Sequence, residues 1–169
     1  MEIEGRHEAQ GILSEILCGM YLDSIHVHSI AMNLGFLRTL ERQGPKNPSE
    51  IWISIMSTVR VVDSTAPIEE AVRAGDESSF FSLREEALRD IYRLLGKEIS
   101  SVQVERRGEL ILSVQGKNIV ITRDEAEFEE IWSVMDRTPD VSQDHELHIT
   151  LADENRIVSK TRRGHQVFG

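Results

Sequence analysis

The stretch Leu94-Leu-Gly-Lys-Glu-Ile-Ser-Ser-Val-Gln-Val104 joins the end of a helix to the start of a strand. Ahead of it, Ala87 and Ile91 follow the helical spacing of apolar residues that leads into the stretch. Gly96 can adopt the left-handed backbone conformation that commonly ends a helix. Apolar residues alternate with polar ones from Ile99 onward, as they do in a half-buried strand. The stretch therefore predicts a short helix, a glycine stop and a strand.

Two further strands follow this unit. Leu110, Leu112 and Val114 continue the alternation after a turn at Arg107-Gly108, and Lys117-Asn-Ile-Val-Ile-Thr122 returns after a second glycine. Consecutive strands joined by such short turns pair antiparallel. We therefore expect an antiparallel meander behind the helix.

The same order of elements occurs earlier in the chain. Leu17-Cys-Gly-Met-Tyr-Leu-Asp-Ser-Ile-His-Val27 aligns without a gap on Leu94–Val104, with a glycine at the third position of each. A second pair of segments, Glu50–Val62 and Glu146–Val158, also aligns without a gap. Internal similarity of this kind predicts an α+β protein of two related halves, each a helix with an antiparallel meander.

The domain organisation follows from this alignment. We assign residues 1–63 to the first repeat and residues 64–81, rich in Ser, Pro, Gly and acids, to a linker. Residues 82–160 form the second repeat, which carries an acidic insertion, and residues 161–169 form a C-terminal tail. A chain of 169 residues with 40% apolar content can bury one core, so we expect the halves to pack as one compact unit.

The insertion is predicted to contain an extra acidic helix, Asp124 to Met135. Phe128, Ile131, Trp132 and Met135 fall at the i, i+3, i+4 and i+7 positions of a helix face. Asp124 and Glu127 have the spacing of an N-terminal cap and its N3 partner.

Negative charge is concentrated on residues 124–154, which we call the acidic segment. It holds eleven of the 29 acids and one of the 19 basic residues, Arg137, so acids and bases balance over the rest of the chain. A field concentrated in this way indicates a cationic binding partner, although a solvated surface would also tolerate it. The acids that we expect to contact a partner are Glu125, Glu127, Glu129, Glu130, Asp136, Asp140 and Asp144.

Other functions receive less support from the sequence. We find no nucleophile elbow, phosphate-binding glycine loop or positioned acid pair, and we predict no enzyme activity and no cofactor. An acidic chain is an unlikely ligand for nucleic acid, and its start lacks a secretory signal, so we expect no nucleic-acid partner, no membrane contact and a cytoplasmic protein. His26-Val-His28 has a spacing that can chelate a metal, but we predict surface histidines there and no metal.

The segment Leu94 to Ile121 resembles the core of small bacterial proteins, several of which are similar to immunity proteins of toxin–immunity systems. That resemblance implies a compact acidic α+β protein that neutralises a toxin delivered by a neighbouring cell. It implies no catalytic residue. Our leading interpretation is an inhibitor that covers the basic active-site cleft of a toxin such as a nuclease.

Two alternatives remain open. A structural or adaptor subunit would form a homo-oligomer through exposed strand edges or a two-fold patch. A metal-dependent enzyme would use His26 and His28 together with distant acids.

Overall fold

The structure is a computed structural model that describes residues 4–43, 48–72, 80–123, 130–139, 148–152, 156–161 and 164–167. Elements up to residue 71 are α1 (Arg6–Leu17), β1 (Tyr21–Val27), β2 (Met32–Leu37), a 3-10 turn (Leu40–Arg42), β3 (Glu50–Ile55), β4 (Val59–Asp63) and α2 (Ile68–Ala71). They are followed by α3 (Phe80–Tyr92), β5 (Ile99–Val104), β6 (Leu110–Val114), β7 (Lys117–Ile121), β8 (Glu130–Asp136), β9 (His148–Ala152), β10 (Arg156–Thr161) and β11 (Gly164–Val167).

The strands form two antiparallel sheets, so the predicted α+β class is confirmed. One sheet has seven strands in the order β1-β2-β3-β8-β9-β10-β11, and the other has four in the order β4-β7-β6-β5. Each meander, β1-β2-β3 and β5-β6-β7, sends its next strand into the other sheet: β4 pairs with β7 and β8 pairs with β3. The two parts of the chain therefore complete each other's sheets and cannot be separate domains.

The two glycine turns contact each other reciprocally. The Gly19 N–H donates to the Ile99 carbonyl at 2.9 Å, and the Gly96 N–H donates to the Leu22 carbonyl at 2.7 Å. Both glycines have positive φ, 80° and 76°, which confirms the predicted glycine stops. Each of the strands that follow carries a bulge at the aligned position, between Leu22 and Ser24 in β1 and between Ile99 and Ser101 in β5. A local two-fold relation thus links these two segments.

One large apolar cluster holds the molecule together. It takes buried side chains from α1, α3, the inner face of the seven-stranded sheet and one face of the four-stranded sheet. A small second cluster of Ala71, Ile111 and Val120 lies where α2 covers the other face of the four-stranded sheet. Residues 64–81, assigned above to a linker, therefore supply part of the packing.

The predicted acidic helix over Asp124–Met135 is wrong for the residues that the structure describes. Glu130–Asp136 is strand β8, between β3 and β9 in the middle of the seven-stranded sheet. Ile131, Trp132, Ser133 and Val134 are all buried, and a bulge between Glu130 and Trp132 places the neighbours Ile131 and Trp132 in the same core cluster. The bulge interrupts the alternation of apolar and polar residues that identifies a strand, and the short apolar run then fits a helix equally well. Residues 124–129 lie outside the described residues.

The second aligned pair of segments takes two different arrangements. β3 and β4, within residues 50–62, belong to different sheets, whereas β9 and β10, within residues 146–158, are neighbours in one sheet. The alignment at this place reflects similar strand composition and does not mark equivalent positions. In the region assigned to the C-terminal tail, β11 pairs with β10 and extends the seven-stranded sheet.

Candidate protein-binding surfaces

The acidic segment supplies two central strands of the seven-stranded sheet. Its apolar residues in β8 and β9, such as Trp132 and Leu151, belong to the core. Within the described residues, its acids occur only where a strand begins or ends: Glu130 is the first residue of β8 and Asp136 is the last. The sheet therefore divides the acidic segment between two places.

We call these places the first end and the second end of the sheet. At the first end, Glu130 pairs with Ala152, and the connections 124–129 and 153–155 join the sheet there. At the second end, Asp136 pairs with Ile51, and the connection 137–147 joins β8 to β9. β8 has seven residues, so about 20 Å separates the two ends at ~3.3 Å per residue.

The predicted contact residues are distributed accordingly. Glu130 belongs to the first end and Asp136 to the second. The other five acids lie outside the described residues. Three precede β8 in the chain, Glu125, Glu127 and Glu129, and two follow it, Asp140 and Asp144. In the sequence alone these acids form one run, because the residue pattern does not identify the strand that lies between them.

Asp136 also has a local structural contact. Its Oδ1 accepts hydrogen bonds from the backbone N–H of Thr138, at 2.9 Å, and from the Thr138 hydroxyl, at 2.5 Å. The Thr138 oxygen in turn accepts the Ser49 N–H at 3.0 Å. Asp136 therefore holds the turn after β8 against the start of β3, as Asp side chains commonly do in turns.

An open cavity of about 460 Å³ lies beside this turn. The cavity is lined by Tyr21, Leu37, Arg38, Thr39, Leu40, Gln43, Ser49, Glu50 and Pro139. Sequence reasoning missed it, because its lining comes from the strand ends and loops of several elements and has no signature of its own.

Arg38 is the buried cation of this cavity, only 7% exposed. Its Nε donates to the Pro48 carbonyl at 3.1 Å, and its Nη2 donates to the Ile16 carbonyl in the last turn of α1. Burial lowers the pKa of Arg38, and the neighbouring Arg42 lowers it further. A cation bonded to carbonyls at a helix C-terminus complements the helix dipole, so these contacts explain Arg38 as a structural residue.

The two histidines considered for metal binding are both exposed. The His26 ring lies edge-on to Trp52, with ring centroids 4.7 Å apart. His28 adjoins the turn after β1, where its N–H donates to the Ala31 carbonyl at 2.8 Å. Across the part of the chain that the structure describes, no three His, Cys, Asp or Glu side chains are grouped as a metal site would require.

A row of polar side chains crosses the outer face of the seven-stranded sheet. His26, Asn33, Ser54, Ser133 and Thr150 occupy one register level on five adjacent strands. Ser133 is buried, and the Asn33 Oδ1 is shielded from solvent without a hydrogen-bond partner in the described residues. Of this row, His26 is exposed and Ser54 and Thr150 are half-buried, and none of the five residues carries the acidic charge of the sheet ends.

Comparison with protein-family models, with curated proteins and with solved structures finds no match to this chain. No helix within the described residues is long and apolar enough to cross a membrane. Charge and geometry are therefore the properties of this chain that bear on its function.

Proposed function

We propose that this chain is a non-catalytic protein-binding inhibitor of the immunity-protein type, which neutralises a basic toxin domain such as a nuclease. The observation that carries the proposal is the charge distribution: eleven acids against one base in residues 124–154, with balance elsewhere. The proposal includes a cytoplasmic protein that acts stoichiometrically, without a cofactor.

The physical basis is electrostatic complementarity. A nuclease cleft is basic because it must attract a polyphosphate backbone, and carboxylates can occupy the same field. Clustered charge of one sign accelerates association and excludes partners of like charge. Such an inhibitor needs no chemistry of its own, since it only covers the cleft.

The first end of the sheet is the favoured contact surface. Residues 123–130 and 152–156 contain seven acids against Arg123 and Arg156, an excess of five negative charges. Residues 136–147 contain four acids against Arg137, an excess of three, and the buried Arg38 lines the cavity beside the turn after β8. Oppositely charged neighbours weaken an acidic field within the ~8 Å screening length of physiological salt. The partner's basic residues should therefore contact Glu125, Glu127, Glu129 and Glu130 more closely than Asp136, Asp140 and Asp144.

Two matched variants test this assignment. The first-end variant combines Glu125→Gln, Glu127→Gln and Glu129→Gln, and the second-end variant combines Asp136→Asn, Asp140→Asn and Asp144→Asn. Both remove three negative charges, so they differ only in where the charge is lost. Asp136→Asn keeps the Oδ1 acceptor that holds Thr138.

The experiment is affinity capture from a lysate of the native host, followed by identification of the retained protein and an assay of its toxin activity. We expect the wild type and the second-end variant to retain and inhibit the same basic toxin, and the first-end variant to retain much less of it. Equal retention by all three proteins would contradict the assignment to the first end. Retention of acidic or non-toxic proteins alone would contradict the inhibitor function.

A further inference from the structure

Among the residues that the structure describes, none pairs with the outer edge of β1 in the seven-stranded sheet beyond Leu22. β1 pairs with β2 on one side. The His28 N–H donates to the Ala31 carbonyl, so the backbone groups of His28 point toward β2. Because antiparallel pairs alternate, the backbone groups of Ile25 and Val27 point away from β2. No described residue bonds to these two N–H groups or these two carbonyls. An unpaired edge of this kind is a template for another strand.

The corresponding edge of β5 is covered. Val102 and Val104 occupy the aligned positions, and side chains of α1 bond to their backbone. The Ser14 hydroxyl donates to the Val102 carbonyl at 3.4 Å, and the Gln10 Oε1 accepts the Val104 N–H at 3.0 Å. Arg6 donates to the Val104 carbonyl at 2.8 Å. One stripe of α1, at intervals of four residues, thus closes the edge of β5.

α3 does not close β1 in the same way. α1 packs along β5, whereas α3 packs along β4. Arg84 donates to the carbonyls of His28, at 2.8 Å, and Ser29, at 3.2 Å, at the end of β1. When the buried faces of the two helices are matched, Ala9 with Ala87 and Leu13 with Ile91, the positions of α3 that correspond to Gln10 and Ser14 hold Leu88 and Tyr92. Leu88 has no group to bond a backbone, and the Tyr92 side chain is 69% exposed.

We infer that the open edge of β1 binds the β1 strand of a second copy of this chain. In the antiparallel register that pairs Ile25 with Val27 of the second copy, each of the two residues donates one hydrogen bond and accepts one. The two-fold axis then passes between the two copies of His26. This register uses all four open groups of each copy, as an isologous interface requires.

The limits of the open edge favour a second copy over a longer foreign strand. On one side the edge stops at the bulge after Leu22, whose backbone is already bonded to Gly96 and Lys97. On the other side it stops at the turn that Arg84 holds. A second copy presents the same short run with the same boundaries. Val27 and Ile30 are each 51% exposed and would lose apolar surface to water on pairing.

The interface is small, so the dimer should be weak. Stable protein interfaces bury about 1,200 Å² or more in total, and two short strand edges fall below that size. We therefore expect a concentration-dependent equilibrium between monomer and dimer. This inference is independent of the proposed inhibitor function, because the β1 edge belongs to a different strand from the acidic segment.

Sedimentation equilibrium over a wide concentration range tests the inference with Val27→Pro and Val27→Thr. Pro removes the outward N–H of residue 27 and is tolerated on a strand edge that faces solvent, whereas Thr keeps the N–H. We expect the wild type and Val27→Thr to dimerise and Val27→Pro to remain monomeric. Circular dichroism should show the same fold for all three.

A charge exchange at the two-fold axis tests the register. His26→Glu and His26→Lys each place like charges opposite each other, which disfavours cross-strand pairing. Each variant alone should dimerise about fivefold more weakly than a mixture of the two. A mixture no tighter than the separate variants would overturn the register.

Amide hydrogen exchange distinguishes a second copy from another segment of the same chain as the occupant of the β1 edge. We expect the Ile25 and Val27 amides to exchange faster on dilution, because dilution dissociates the dimer. If these amides are protected equally at all concentrations, the chain covers its own edge and the inference is wrong. A wild type that stays monomeric at every concentration would also overturn it.

Discussion

At the scale of single residues, Gly35 shows how closely β1 and β2 approach each other. A Cβ at this position would lie 2.3 Å from the Ser24 Oγ on β1. The Trp52 ring lies at an ordinary 3.5 Å from the same point. The absence of a side chain at residue 35 therefore allows Ser24, Gly35 and Trp52 to share one face of the sheet.

We predict that Gly35→Ala destabilises the protein by about 1–3 kcal/mol, the range for overpacked sites. Replacing Ser24 by Ala in the same chain should recover part of this loss. Gly11→Ala is the matched control, because a Cβ there meets nothing within 4 Å and Ala in a helix interior gains about 0.5–1 kcal/mol over Gly. Urea unfolding measures all four proteins. A neutral Gly35→Ala would contradict the close approach.

Cys18 ends α1 as a half-buried thiol. Burial raises the pKa of this thiol, and the positive charge of Arg38 opposes the rise in part. A raised pKa leaves less thiolate at neutral pH, and the thiolate is the reactive form.

We therefore predict that Cys18 reacts with iodoacetamide more slowly than a free cysteine at pH 7 to 8. The rate should rise with pH along a curve shifted to higher pH than that of unfolded chain in urea. Because the shift is upward, folding stability from this group is present at neutral pH and is lost as pH rises above about 8.5, the ordinary thiol pKa. A folded-state curve at lower pH than the unfolded one would contradict this account.

At the scale of elements, β8 is the strand that the sequence does not predict, whereas the meander before it is predictable. The glycine stops at Gly19 and Gly96 and the β5-β6-β7 meander were predictable, because each depends on local signals. The strand identity of β8 depends on its neighbours β3 and β9, which pair with it on both sides, and a bulge at its start interrupts its alternation. Local periodicity carries no information about that pairing.

The candidate surfaces show the same limit. The acidity of residues 124–154 can be read directly from the sequence, but its division between two sheet ends follows from the position of β8. The open edge of β1 is likewise invisible in the sequence, since β1 and β5 have similar patterns. Only the packing of α1 and α3 distinguishes a covered edge from an open one.

Substitution of Trp132 tests the placement of β8 in the middle of the sheet. It is fully buried, and its indole N–H donates to the buried Gly108 carbonyl at 2.8 Å. Trp132→Phe should cost about 1–3 kcal/mol in the free energy of unfolding, because that carbonyl loses its partner. The matched control is Trp52→Phe, since Trp52 is only half-buried and donates at 2.6 Å to the Glu50 side chain, which water can reach. Comparable losses for the two variants, measured in urea, would contradict this placement.

At the scale of the whole molecule, exchange of strands between the two sheets makes one cooperative unit. β4 and β8 each leave the meander that precedes them, and the main apolar cluster includes residues of both sheets. We therefore expect a single unfolding transition. This frame holds the two ends of β8 about 20 Å apart, at ~3.3 Å per residue, so one partner cleft would meet one end before the other.

The most direct measurement of the proposed function is the association rate constant between this chain and its captured partner as a function of salt concentration. Stopped-flow fluorescence would compare the wild type with the first-end and second-end variants. We predict a rate that falls steeply with salt for the wild type and the second-end variant, and a slower, flatter dependence for the first-end variant. A first-end variant that associates as fast as the wild type, with the same salt dependence, would contradict the account.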